Sequence, residues 1–165
     1  MPQLLVVHHS PSRSMQALTD AVIAGAHDPL IEGVDVIVRP ALEASAADVL
    51  AADGYLLGTT ANFGYMSGAL KYFFDSTFLD IGGQLDEHGG AADQPAGTTA
   101  KRPFGVYVHG RYDTTGAIRS VLAITGALGW KQSAAIVELL GDIGAREAET
   151  AYELGATVAA LLMNA

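Results

Sequence analysis

The chain has 165 residues, half of them apolar, with no cysteine and a net charge of −9. That length suits one domain, residues 1–165, with a real core, and the missing thiols exclude disulfides, thiolate metal sites and a cysteine nucleophile. The acidic balance speaks against nucleic acid, whose phosphates need a basic footprint, and no apolar stretch approaches the ~18 residues of a membrane span.

From the N-terminus, MPQLLVV has no basic region and too short an apolar run for a secretory signal, so a cytoplasmic protein away from the membrane is expected. Residues 4–8 read as a first strand. Met15, Leu18, Val22 and Ala26 form a helical stripe. Residues 34–38 alternate and are β-branched, hence a second strand, and a short weak helix follows at 46–52. Residues 54–57 are a third, buried strand. Met66, Leu70, Phe73 and Phe74 place the next helix at 66–74. Residues 81–103 break the rhythm, with many glycines, two prolines and no periodicity; such a loop is either a lid or a surface excursion. A fourth strand is expected at 104–108, then a helix with Ile118, Val121, Leu122 and Thr125 on one face. Residues 134–137 read as a fifth strand. The last helix carries Ala145, Ala148, Tyr152, Ala156, Ala159 and Leu162. Strict β–α alternation with short apolar strands predicts an α/β protein, its parallel sheet covered on both faces. Five such units fit a three-layer sandwich of order 2-1-3-4-5.

The stretch 58–71, GTTANFGYMSGALK, lies between the third strand and its helix. It holds hydroxyls, an amide, an aromatic ring and glycines at the carboxyl end of a strand, where open α/β sheets place their ligands. It resembles the flavin-ring loop of flavodoxin-like proteins, and in particular the G-T-P-x-x-F-G-x-M-S-G-x-x-K pattern of the quinone-reductase and NAD(P)H-dependent FMN-reductase branch. Thr60 stands where that branch has proline. The resemblance implies a flavodoxin-like fold and bound FMN, with Thr60, Asn62, Phe63 and Gly64 at the isoalloxazine ring. Phe63 is otherwise a core aromatic, and Lys71 an exposed helix lysine. Relatives of this kind often carry a tryptophan in the segment corresponding to 81–103; the one tryptophan here, Trp130, lies outside it.

Two further loops fall at the same edge. After the first strand, HSPSRSM opens directly into a helix. A helix N-terminus offers unpaired N–H groups and partial positive charge to a phosphate. Ser10, Ser12, Arg13, Ser14 and Met15 are therefore candidates for the FMN phosphate, although the loop lacks the glycine of the common flavodoxin form. The plainer reading is a serine N-cap with an exposed arginine. It is neither a dinucleotide fingerprint nor a Walker loop, since both need glycines. After the fourth strand come His109, Gly110, Arg111, Tyr112 and Asp113. The resemblance makes this loop the second wall of the flavin pocket, with Tyr112 stacking on or covering the ring and Arg111 near N1 and O2. Asp113 or Thr114 equally suits a helix cap. His8, His9 and His109 lie near strand ends, but the predicted sheet separates strands one and four, and no metal-ligand spacing is present, so no metal is expected. His8 is read as a structural residue.

The resemblance implies an FMN-dependent oxidoreductase that takes electrons from NADH or NADPH to a quinone or other small acceptor. The chemistry would lie at the flavin N5, with no catalytic side chain. The alternatives are a flavodoxin-type electron carrier, whose flavin is usually ringed by carboxylates, and a flavin-free flavodoxin-like scaffold. The predicted rim, with Arg13, Arg111, His9 and His109 against Asp113, favours an anionic small partner such as a nicotinamide dinucleotide. Reductases of this branch are commonly dimers or tetramers, so a homo-oligomer is expected. A serine hydrolase is disfavoured by the absence of a G-x-S-x-G elbow.

Overall fold

In a computed structural model, which describes residues 1–91 and 97–163, seven strands and five helices follow one another in sequence. They are β1 (Gln3–His8), α1 (Arg13–Ala26), β2 (Asp35–Pro40), α2 (Ala46–Ala51), β3 (Gly54–Asn62), β4 (Tyr65–Met66), α3 (Gly68–Thr77), β5 (Pro103–Gly110), α4 (Thr115–Ala127), β6 (Lys131–Gln132), β7 (Val137–Leu140) and α5 (Ala145–Met163). The sheet runs β2-β1-β3-β5-β6, with β7 also beside β5 and β4 folded back on β3. The named strands pair in parallel except at the β3–β4 hairpin. The expected order 2-1-3-4-5 is therefore present, its fourth strand being β5 and its fifth split into β6 and β7.

Residues 54–60 are buried without a break. That is what a parallel strand covered on both faces requires. On one face Leu4, Val6, Leu56 and Tyr107 pack under α1 and α5, through Met15, Leu18, Val22, Val158 and Leu162. On the other, Leu5, Val7, Leu57 and Val106 pack under α2, α3 and α4, through Val49, Leu70, Phe73, Phe74 and Val121. Strand β3 thus hands its carboxyl end to the centre of the edge.

Three boundaries differ from expectation. Residues 134–136 are not strand. Here the Gln132 side chain donates to the Ala134 carbonyl at 3.0 Å and the Ser133 hydroxyl to Lys131 at 2.9 Å, so local side-chain bonds divert the backbone between β6 and β7. Met66 belongs to β4, not to the helix; Ser67 caps α3 by accepting from the Leu70 N–H at 3.1 Å. The buried face of α5 is Ala151, Leu154, Gly155, Val158, Ala159 and Leu162, which leaves Tyr152 and Ala156 half-buried.

The 81–103 segment is anchored at both ends. Ile81 and Thr99 are buried. The Thr99 hydroxyl donates to the Ile81 carbonyl at 2.7 Å and accepts from Trp130 Nε1 at 2.8 Å. Residues 92–96 of the expected loop lie outside those described. Trp130 is a core residue, its indole stacked on Tyr55 at a centroid distance of 4.0 Å.

Candidate functional site

Strand β3 runs to Asn62 and turns straight into β4, with Asn62 opposite Tyr65. The ring loop is therefore a hairpin whose two turn residues are Phe63 and Gly64, both left-handed with φ of 51° and 78°. A type I′ turn needs positive φ at both positions. Glycine adopts it freely, but a phenylalanine there is unusual and strained, as at many functional sites. The consequence is that Phe63 projects wholly into solvent, at 109% relative exposure, and the core reading of this ring is excluded. Gly116, at the start of α4, backs the turn; any side chain there would collide with the Gly64 carbonyl.

Two other motif residues hold this hairpin. The Thr59 hydroxyl accepts from the Ser67 N–H at 2.9 Å and donates to the Thr60 carbonyl at 2.8 Å. Lys71 is a half-exposed helix lysine bound to Asp75 at 2.7 Å.

Across from the hairpin lies the loop after β5. Gly110 is buried, while Arg111, Tyr112 and Asp113 are exposed. Asp113 accepts from the Thr115 N–H at 2.9 Å and caps α4; that bond holds its carboxyl below the ordinary carboxylate value. Thr114, the other candidate cap, makes no side-chain cap bond. His109 Nε2 donates to the Gly141 carbonyl at 2.7 Å, fixing the ring. Phe63, Gly64 and Ala61 on one side and Arg111, Tyr112 and Asp113 on the other enclose a cavity of about 360 Å³. Five of the expected ring residues thus meet in one place. On the opposite face of β3 from Ala61, Thr60 is buried level with His109, and its hydroxyl is the one buried side-chain polar atom without a hydrogen-bond partner among the described residues.

The serine loop sits on the neighbouring strand, His9 N–H donating to the Gly58 carbonyl at 3.0 Å. It does not line the cavity just described. Ser12 is the N-cap of α1, accepting from the Met15 N–H at 3.2 Å. Its own hydrogen stays available, as do the backbone N–H groups of Arg13 and Ser14, which have no intrahelical carbonyl to bond. Arg13 is exposed and Ser14 half-exposed. Met15 is corrected as a contact: its side chain lies in the core and its N–H is spent on Ser12. Ser10 is half-buried, its hydroxyl 2.8 Å from His8 Nδ1 and 2.7 Å from the Thr19 hydroxyl. Burial first, and then the neighbouring His9, push the His8 imidazole below its ordinary value. No group of three or more metal-ligating side chains occurs among the described residues.

The sequence reading overlooked Tyr65, Arg119 and Ser120. They line a second cavity of about 410 Å³ beside the hairpin, with Lys71, Gly116, Ala123 and Ile124. Arg119 sits two residues from the buried Ala117 and Val121 on α4, a pattern that reads as an ordinary solvated face.

Searched against protein-family models, the chain matches none. Over 86 residues it is 33% identical to a flavodoxin of Aquifex aeolicus; the match spans 52% of this chain and 45% of that protein's length. Among solved structures, a flavodoxin from the domain Archaea superposes with a TM-score of 0.76 at 14% identity, covering 99% of each chain. A WrbA-like flavodoxin from Agrobacterium tumefaciens gives 0.73 at 18% identity, again over 99% of both. The fold is flavodoxin-like. Flavodoxin 1 from Bacillus cereus, at 0.73 and 14% identity over 94% of this chain, has the same architecture.

Proposed function

We propose that this flavodoxin-like chain binds FMN at the carboxyl edge of its sheet and serves as an oxidoreductase, accepting electrons from NADH or NADPH and passing them to a small acceptor such as a quinone. The observation that carries this reading is the cavity lined by the outward Phe63 and Tyr112, together with the unpartnered Thr60 hydroxyl on the opposite face of β3, the face of the serine loop. A buried hydroxyl without a partner is costly, by about 1–3 kcal/mol, unless a ligand completes it. An aromatic ring held in water by a strained backbone likewise suits a flat ligand.

When bound, FMN supplies the hydride and electron chemistry. The protein's part is binding and electrostatics. Phe63 and Tyr112 would flank the ring, the Gly64 backbone would approach its edge, and Arg111 would favour negative charge there. Ser12, Arg13 and Ser14 would hold the phosphate with the first N–H groups of α1.

The choice between enzyme and carrier rests on the rim. The similarity to a flavodoxin favours an electron carrier as the second reading. Yet beside the hairpin stand Arg111 and Arg119 against the one carboxylate of Asp113, the Lys71–Asp75 pair being neutral between its members. That balance suits an anionic dinucleotide better than a basic protein. A homo-oligomer is part of the same proposal. The test is an anaerobic absorbance titration with FMN, then with NADH and NADPH. Bands near ~450 nm that bleach rapidly with a pyridine nucleotide support the reductase. Bleaching by dithionite alone supports the carrier, and no flavin uptake leaves a scaffold.

A further inference from the structure

We propose that His8 positions the Ser10 hydroxyl for an anion at the serine loop, and that a phosphate bound there draws a proton onto His8 Nδ1. This rests on the reading of that loop as the phosphate end of the site. Four side chains form a continuous hydrogen-bonded line. The Tyr107 hydroxyl is 2.9 Å from Thr19 Oγ1, Thr19 Oγ1 is 2.7 Å from Ser10 Oγ, and Ser10 Oγ is 2.8 Å from His8 Nδ1.

The direction of the line follows from its buried end. Tyr107 is fully buried, and Thr19 is its one hydroxyl partner among the described residues. Its hydrogen must therefore go to Thr19, because the reverse would leave a phenol hydrogen unbonded in the core. Thr19, already accepting from Tyr107, gives its own hydrogen to Ser10. Ser10 is left with one hydrogen and one protein acceptor for it, His8 Nδ1. With Ser10 donating along the line, Nδ1 accepts and the imidazole proton sits on Nε2.

An anion at the loop competes for that same hydrogen. Ser10 can turn its hydroxyl to a phosphate oxygen only if His8 Nδ1 supplies a hydrogen in return. A neutral ring could shift its proton, but the doubly protonated ring is the form that a nearby negative charge favours. Around His8 stand His9 in the loop, which opposes that charge, Asp20 on α1, which favours it, and the neutral Tyr107 from β5. Burial tips the resting balance toward the neutral ring. An independent sign of a ligand here is Thr60. It follows Gly58, the partner of His8, by two residues, so it shares that sheet face level with Ser10, buried and unpartnered.

The experiment is nitrogen-detected NMR of the His8 ring in the full chain, alone, with FMN, and with riboflavin, which lacks the phosphate. The free protein should show Nε2–H with Nδ1 accepting. FMN should protonate Nδ1 and raise the pH at which His8 titrates by about one, a tenfold gain in proton affinity. Riboflavin should leave His8 unchanged. Ser10→Ala should abolish the response and weaken FMN at least about tenfold, the worth of a hydrogen bond to a charged group. FMN bound with Nδ1 still unprotonated overturns the coupling alone. Failure to bind FMN overturns the functional reading and the coupling with it.

Discussion

Phe63 and Gly64 show how two residues can hold an aromatic surface out of the core. Their positive φ angles make a two-residue hairpin, and that hairpin leaves an aromatic ring unpacked. A β-carbon at Gly64 would touch nothing, so substitution there acts through the backbone alone. Gly64→Val should cost about 1–2 kcal/mol, the penalty of a left-handed L-residue. The circular dichroism should stay native, and FMN affinity should fall at least about tenfold. Flavin titration beside thermal melting checks both, and full affinity in a folded variant would sink the placement of the ring loop. That Phe63 stands outside the core was legible from its polar neighbours. That the loop is a hairpin was not, because Phe-Gly lacks the Asn-Gly or Asp-Gly signature of such turns.

Elements were legible where large residues set the phase. Helix α1 is placed by Met15, Leu18 and Val22, and all three are buried. In α5 alanines fall on every side, so the expected stripe met the buried face at Ala159 and Leu162 but missed it at Tyr152 and Ala156, where Ala151, Leu154 and Gly155 are buried instead. The split of β6 from β7 depends on side-chain bonds from Gln132 and Ser133, which no hydrophobic pattern records. The base of the 81–103 segment depends likewise on a long-range partner. Trp130→Phe would keep most of the apolar contact with Tyr55 and Phe74 but leave the Thr99 hydroxyl without its indole donor. A loss of about 1–3 kcal/mol is expected. The midpoint of urea unfolding measures it, and an unchanged midpoint would mean that this base is not anchored through Thr99.

For the molecule as a whole, the charge of −9 makes acid the informative stress. Burial opposes the charged form of Asp48, but hydrogen bonds from Ser45 and the pairing with Arg39 outweigh it. Its carboxyl is therefore held below the ordinary 3.8. A carboxyl depressed by folding stabilises the protein above its unfolded value, and that contribution disappears as pH falls through the folded one. Asp48→Asn should lower stability by roughly 1 kcal/mol at pH 7, typical of a lost cap interaction. The gap between the two proteins should close toward pH 2. Denaturant midpoints at both pH values decide it; a gap independent of pH would assign the effect to shape and not to charge. At this scale the β–α layering was readable from alternation, and the edge of the candidate site from the 58–71 stretch, whereas the second cavity required knowing how α4 lies beside β4.

Gly58, the first letter of the ring-loop stretch, faces a phenol. A side chain on it would collide with the ring of Tyr107, which crosses from β5 to reach Thr19. Volume removed from one strand is occupied by the next, so the two positions can change size only in concert. The same phenol supplies the hydrogen that orders Thr19 and Ser10. An alanine at 58 would therefore be felt in the serine loop, as a redirected hydroxyl, before it was felt in the core as a defect of packing.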